Sequence, residues 1–213
     1  MNQKIRVLRE KMKLNNLDGM IVSDPINIRY LLGLQSEGIL LITRKENVFL
    51  TDSRYIEEVR GTLTIDDDVI VTNYRDLSDF DYERYFNFCE NVGFEEDYVT
   101  YAKYKYYKQK FRINNMEETE DLLKKQREVK EASEIAKIKK ACELTDKCFD
   151  HLLEFIKVGK TEIEVAKEIE EFFLDNGAED ISFKPIVASG PNSSKPHAIP
   201  TERKITLQIS AEV

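Results

Sequence analysis

Two histidines, His151 and His197, are the side chains in this 213-residue sequence best placed by type to move protons near neutral pH. His197 follows the run Ser189-Gly190-Pro191-Asn192-Ser193-Ser194-Lys195-Pro196. So many backbone-restricting residues after an apolar segment specify a loop of defined shape, and such loops on a rigid scaffold commonly carry function. From spacing alone His197 stays open to two readings, a catalytic or binding group or a histidine that packs a turn. His151 lies mid-helix beside Asp150, two positions off the apolar stripe, and reads as a partly exposed surface histidine.

Other candidates carry less. The acidic runs Asp66-Asp67-Asp68 and Glu95-Glu96-Asp97 lack the alternating ligands and the glycine of a calcium loop, and read as solvated turns. Cys89, Cys142 and Cys148 have neither zinc-ligand nor redox spacing and read as structural thiols. The tyrosines between Tyr98 and Tyr107 invite a base-stacking reading, but surrounding acids offset the lysines among them. No phosphate-binding glycine signature, paired helical histidines or nucleophile elbow occurs.

Elements must position these groups. The first half alternates helix and strand patterns: a helix through Ile5, Leu8, Met12 and Leu17 broken by Asp18-Gly19, a strand at Met20-Ile21-Val22, and a helical turn or two at Asn27 to Leu32 closed by Gly33. Strands are expected at Gly38 to Thr43, Val48 to Leu50, Val69 to Val71 and Asn91 to Phe94. Helices are expected at Arg54 to Arg60, Phe80 to Cys89 and Tyr101 to Phe111. This alternation predicts an α/β domain. The charged stretch from Arg112 to Lys130 reads as a linker or an exposed helix, with a boundary near residue 123 dividing the chain into 1–123 and 124–213.

Beyond the boundary, Ile135, Ile138, Cys142, Thr145, Phe149, Leu152 and Ile156 form one helical stripe, with Ser133 as N-cap. Thr161 and Glu164 spell a capping box for a second helix that buries Val165, Ile169, Phe172 and Phe173 and stops at Asn176-Gly177. A strand from Ile181 to Ala188 is expected to follow.

Composition bounds the rest. With 41% hydrophobic and 34% charged residues, the chain reads as soluble and globular. A formal charge of −8 argues against a general nucleic-acid binder. No apolar run approaches the ~20 residues that span a bilayer, and the charged start lacks a signal-peptide core, so no membrane partner and a cytoplasmic location are expected. The odd number of cysteines suits a reducing compartment.

The string Ile186-Val187-Ala188-Ser189-Gly190-Pro191-Asn192-Ser193, continued by Pro196-His197-Ala198-Ile199-Pro200-Thr201, resembles the segment that precedes the metal site in Xaa-Pro metallopeptidases of the aminopeptidase P and proline dipeptidase type. Glu134-Ile135, the run Phe155 to Glu162, Gly177-Ala178 and Ser182-Phe183 agree with it. The pieces Asn27 to Gly33 and Thr51-Asp52-Ser53-Arg54-Tyr55 resemble the creatinase-type amino-terminal domain of the same enzymes. The resemblance implies a creatinase-type α/β domain followed by the first part of a pita-bread domain. It also implies proline-containing peptides as substrates, and a histidine at His197 that binds substrate and handles protons beside two divalent metals (Mn, Co or Zn in full-length relatives). The family's ligands, two aspartates, a histidine and two glutamates, all lie carboxyl-terminal to this loop. After Lys204-Ile205 the expected Gly-Asp is absent, Thr206 to Val213 reads as a divergent tail, and Glu202 and Glu212 cannot replace five ligands. No metal ligand and no cofactor are therefore expected in this chain, and no peptidase activity from it alone. An incomplete second domain, with Phe172, Phe173, Phe183 and Ile186 short of cover, is expected to self-associate, as a homodimer or more loosely. The alternative is a non-catalytic dimerisation or interaction module.

Overall fold

The computed structural model describes residues 2–206. By contacts the chain forms two compact units, Met1–Val129 and Lys130–Val213.

The first unit opens with helix α1 (Gln3–Leu14), which turns Ile5, Leu8 and Met12 inward and is capped by the Asn2 side chain. Strand β1 (Gly19–Val22) follows, then helix α2 (Pro25–Leu32), with Asp24 as N-cap and Gly33 stopping it at φ 73°. Strands β2 (Ile39–Thr43) and β3 (Asn47–Thr51) form a hairpin. Helix α3 (Ile56–Thr62) and strand β4 (Ile70–Asn73) come next, then α4 (Asp79–Arg84), β5 (Asn91–Phe94) and α5 (Tyr101–Lys110). Strand β6 (Asn115–Glu118) and helix α6 (Leu122–Glu128) close the unit.

The sheet has six strands in the order β4-β3-β2-β1-β5-β6. β2 runs antiparallel to β1 and β3, whereas β1–β5, β3–β4 and β5–β6 are parallel. Side chains alternate across it. Met20, Val22, Leu40, Ile42 and Phe49 join α1, α2 and α6 in one core. Ile21, Leu41, Val48, Leu50 and Val92 join α4 and α5 in the other. The central strands are apolar on both faces because helices cover both.

The stretch from Arg112 to Lys130, expected as a linker or an exposed helix, instead forms strand β6 and a packed helix, α6. Its reading failed because β6 is an edge strand whose only buried residue is Met116, and α6 is too short to show a period. Leu122 and Leu123 sit in the first unit's core, and Gln126 donates to the Lys4 carbonyl at 2.9 Å. The division by contacts accordingly falls after Val129, beyond α6, where a boundary near residue 123 was expected.

The second unit is a helical hairpin of α7 (Ala132–Phe155) and α8 (Glu162–Asp175). The α7 N-cap is Glu131, in a reciprocal box with Glu134, rather than Ser133. The less exposed face of α7 runs through Leu144, Cys148, His151, Leu152 and Phe155, and from it His151 meets Glu168 and Phe172 of α8. Most of the apolar stripe read from the sequence lies to one side of it, and Ile135, Ile138, Phe149 and Ile156 are exposed. The α8 capping box forms as expected, the Glu164 N–H donating to Thr161 Oγ1 at 3.1 Å and the Thr161 N–H to Glu164 Oε2 at 2.7 Å. The expected strand from Ile181 to Ala188 does not form: it has no ladder partner among the described residues, and a strand without one leaves its backbone to solvent.

Candidate functional site

The His197 loop is built on the first turn of α8. Glu162, the first residue of that helix, would ordinarily point its acid into water beside the positive helix end. Here it is wholly buried. Its Oε1 accepts from the Ser189 N–H at 2.7 Å and the Ser189 hydroxyl at 2.9 Å, where the loop begins. Its Oε2 accepts from the Thr201 N–H at 3.1 Å and the Thr201 hydroxyl at 2.7 Å, where the loop ends. Asn192 Nδ2, in the 3-10 turn Gly190–Ser194, bridges both oxygens at 3.2 and 3.1 Å. Burial on its own raises this carboxyl, but the hydrogen bonds, led by the Thr201 side chain and Ser189, outweigh it and bring the pKa down to about 2.

The returning chain completes the anchor. The Glu162 N–H donates to the Arg203 carbonyl at 3.1 Å and the Ile163 N–H to the Thr201 carbonyl at 3.2 Å. Thr161 bridges to Lys204 as an isolated antiparallel pair. Two of the free N–H groups of the first helical turn thus find their acceptors in the chain leaving the loop. Gly190 sits at φ 50°, with the Arg203 guanidinium against its Cα side. Inside the loop, Ser193 Oγ donates to the Ala188 carbonyl at 3.3 Å and Ser194 Oγ to the Pro191 carbonyl at 2.9 Å. Ala198 is buried while His197 beside it is exposed. The loop is tied at both ends and His197 lies exposed on it.

His151 is separate from this loop. It is half-buried at the α7–α8 seam, its Nε2 2.6 Å from Glu168 Oε1 and its ring stacked on Phe172 at 4.9 Å between centroids. That makes it part of the hairpin's packing, beyond a plain surface position.

The acidic runs divide. Asp67 caps the turn at Thr64, as a solvated turn should. Glu95 contradicts its expectation, being 3% exposed. It accepts from the Ser23 N–H at 2.6 Å, the Asp24 N–H at 2.8 Å and Asn27 Nδ2 at 2.8 Å, and Arg127 of α6 donates to Asn27 Oδ1 at 3.1 Å. Desolvation raises its pKa against those hydrogen bonds. Glu96 accepts from Thr119 and Asp121, fixing the entry to α6.

The Thr51 to Tyr55 motif borders a cleft of about 520 Å³ at the end of β3. There the Arg54 guanidinium chelates Asp52, with Nη2 to Oδ2 at 2.7 Å, and holds that carboxyl below its ordinary range. Cys89, Cys142 and Cys148 are all free thiols, and burial pushes Cys89 up to about 11. Among the described residues no group of three or more His, Cys, Asp or Glu side chains could hold a metal ion. The donor set of the described residues therefore does not fit a dinuclear centre. No described helix is long and apolar enough to cross a membrane.

A three-layer α/β unit followed by a capped helical hairpin and a Pro-His loop defines the creatinase-type domain and the start of a pita-bread domain. Comparison with known families agrees: the creatinase/prolidase N-terminal domain matches residues 4–129 and metallopeptidase family M24 matches residues 136–210. The chain belongs to the creatinase/prolidase family of Xaa-Pro peptidases. It is 32% identical over 209 residues to the uncharacterized peptidase YqhT of Bacillus subtilis, covering 95% of this chain and 57% of that protein. It superposes on an Xaa-Pro dipeptidase from Bacillus anthracis with a TM-score of 0.85 at 32% identity, over 95% of this chain and 57% of the other. The prolidase from Pyrococcus horikoshii follows at TM-score 0.82 and 27% identity, over 96% and 57%. The chain thus spans a little over half the length of the relatives it matches. The M24 match also runs into the segment from Thr206 expected to diverge; residues 207–213 lie outside the described residues.

Proposed function

We propose that this chain carries the amino-terminal domain and the substrate-facing His197 loop of an Xaa-Pro peptidase, and that the 213-residue chain by itself does not hydrolyse peptides. The observation that carries the first half is the Pro196-His197 loop held at both ends by Glu162 with its imidazole exposed. An imidazole on a fixed frame suits orienting a proline-containing peptide and exchanging a proton with it near neutral pH. Support for the second half is the absence, among the described residues, of any cluster able to bind a metal. The family's reaction draws its hydroxide and its polarised carbonyl from two cations (Mn, Co or Zn). His197 alone supplies neither.

The test is hydrolysis of an Xaa-Pro dipeptide and of a longer peptide with proline second, together with metal analysis of the purified chain. The expected outcome is no turnover and no stoichiometric metal. Appreciable turnover abolished by a chelator overturns the reading.

A second reading, a non-catalytic dimerisation or interaction module, is favoured by one observation: Phe149, Leu153 and Phe183 are each at least 62% exposed. Apolar surface of this kind favours association. A monodisperse monomer in light scattering across a range of concentrations counts against it. A cytoplasmic location is consistent with three free thiols.

A further inference from the structure

We propose that Glu162 is a positioning residue for His197, setting the imidazole's location by tying the two ends of its loop to one buried carboxylate. The inference rests on the reading of His197 as substrate-facing.

The argument is geometric. A flexible segment between Ser189 and Thr201 would sample many shapes, and closing it costs conformational entropy. Glu162 removes that freedom at a single point, because each carboxylate oxygen takes a backbone N–H and a hydroxyl from one end of the loop. Asn192 spans the two oxygens and fixes the 3-10 turn between them. A carboxylate has the acceptor capacity for this; a carboxamide replaces one acceptor with an NH2 donor that faces these donors. The buried charge is matched by donors on all sides, as a buried acid requires. Glu162 thus acts on His197 through Ser189, Asn192 and Thr201.

The experiment uses the full chain, whose two histidines give separate ring signals by NMR when histidine is isotope-labelled. His151, held by Glu168, reports whether the hairpin is intact, and His197 reports the loop. In E162Q the Ser189 and Thr201 amides are expected to exchange with solvent at least about tenfold faster. The His197 ring signal should move toward that of an unstructured peptide, while the His151 signal stays. Thr201→Val, which keeps shape and loses the hydroxyl, should give a smaller shift of the same kind, and Thr201→Ser should restore the wild-type signal. The dipeptide Gly-Pro, added as probe, should perturb the wild-type His197 signal and require about tenfold more dipeptide in E162Q. An unchanged His197 signal in E162Q with the hairpin intact overturns the proposal, as does equal behaviour of Thr201→Val and Thr201→Ser. If E162Q loses the His151 signal and so the hairpin, the Thr201 pair decides. A wild-type His197 that ignores Gly-Pro sinks the peptide-facing reading instead, and the exchange and ring-signal arms still judge the positioning role.

Discussion

At the scale of single residues, the two buried glutamates show how context separates chemically identical groups. Glu162 and Glu95 both accept from backbone N–H groups and side-chain donors, yet hydrogen bonding prevails at Glu162 and desolvation at Glu95. The sign of the pH dependence follows for Glu162. Its folded pKa, about 2, lies below the ordinary 4.5, so its contribution to loop order is complete above about pH 4.5 and is lost as pH falls toward 2. Hydrogen exchange of the loop amides should therefore accelerate on acidification across that window, relative to the intrinsic rate. E162Q should flatten the profile, and an acid response as large in E162Q as in wild type would remove Glu162 as its source. None of this was legible in the sequence. Glu162 stands in a capping-box context where a first-turn acid is ordinary, and only its burial by the loop marks it out. Glu95 lies within an acidic run, a pattern that by itself indicates a solvated turn.

Among the elements, the informative case is α6. Its composition is mostly charged, but Leu122 and Leu123 fill the core beside α1, and Gln126 ties it to the Lys4 carbonyl. Arg127 reaches Asn27, which is itself held by Glu95. A helix of this length holds little structure in isolation; packing maintains it. Leu123→Ala should cost the first unit about 2–5 kcal/mol, the range for emptying a buried leucine site. Urea unfolding followed on that unit checks it, and a change below ~1 kcal/mol would place α6 outside the cooperative core. The converse case is the segment from Ile181 to Ala188. Its apolar alternation is strand-like, yet a strand is made by its neighbour, and no neighbour exists among the described residues.

For the whole molecule, the two units differ in how they are covered. The first buries apolar side chains on both faces of its sheet. The second buries little besides Cys148, Val165, Ala198 and the polar anchor at Thr161 and Glu162, and leaves Phe149, Leu153, Phe183 and Ile199 largely exposed. Stability should therefore be uneven along the chain. Limited proteolysis is expected to cut first beyond Val129 and to leave a resistant fragment ending near that residue. Cleavage starting within β1 to β5 would contradict the division.

What the sequence determined by itself were the features written in local pattern. These are the short apolar strands β1, β2 and β5, the Gly33 stop, the Thr161–Glu164 box, the Asn176-Gly177 stop and, by family resemblance, the string around His197. All but the string follow from an apolar pattern or a backbone preference within a few residues, and the string rests on resemblance to a family, so no distant partner was needed. Only the tertiary structure decided which face of α7 is covered, that the charged stretch before Lys130 belongs to the first core, and that the ends of the His197 loop meet on one carboxylate. The last of these depends on groups 27 and 39 positions apart in the chain, Glu162 with Ser189 and with Thr201, and in all three burial is set by what packs from outside the segment. Local pattern carries no information about that.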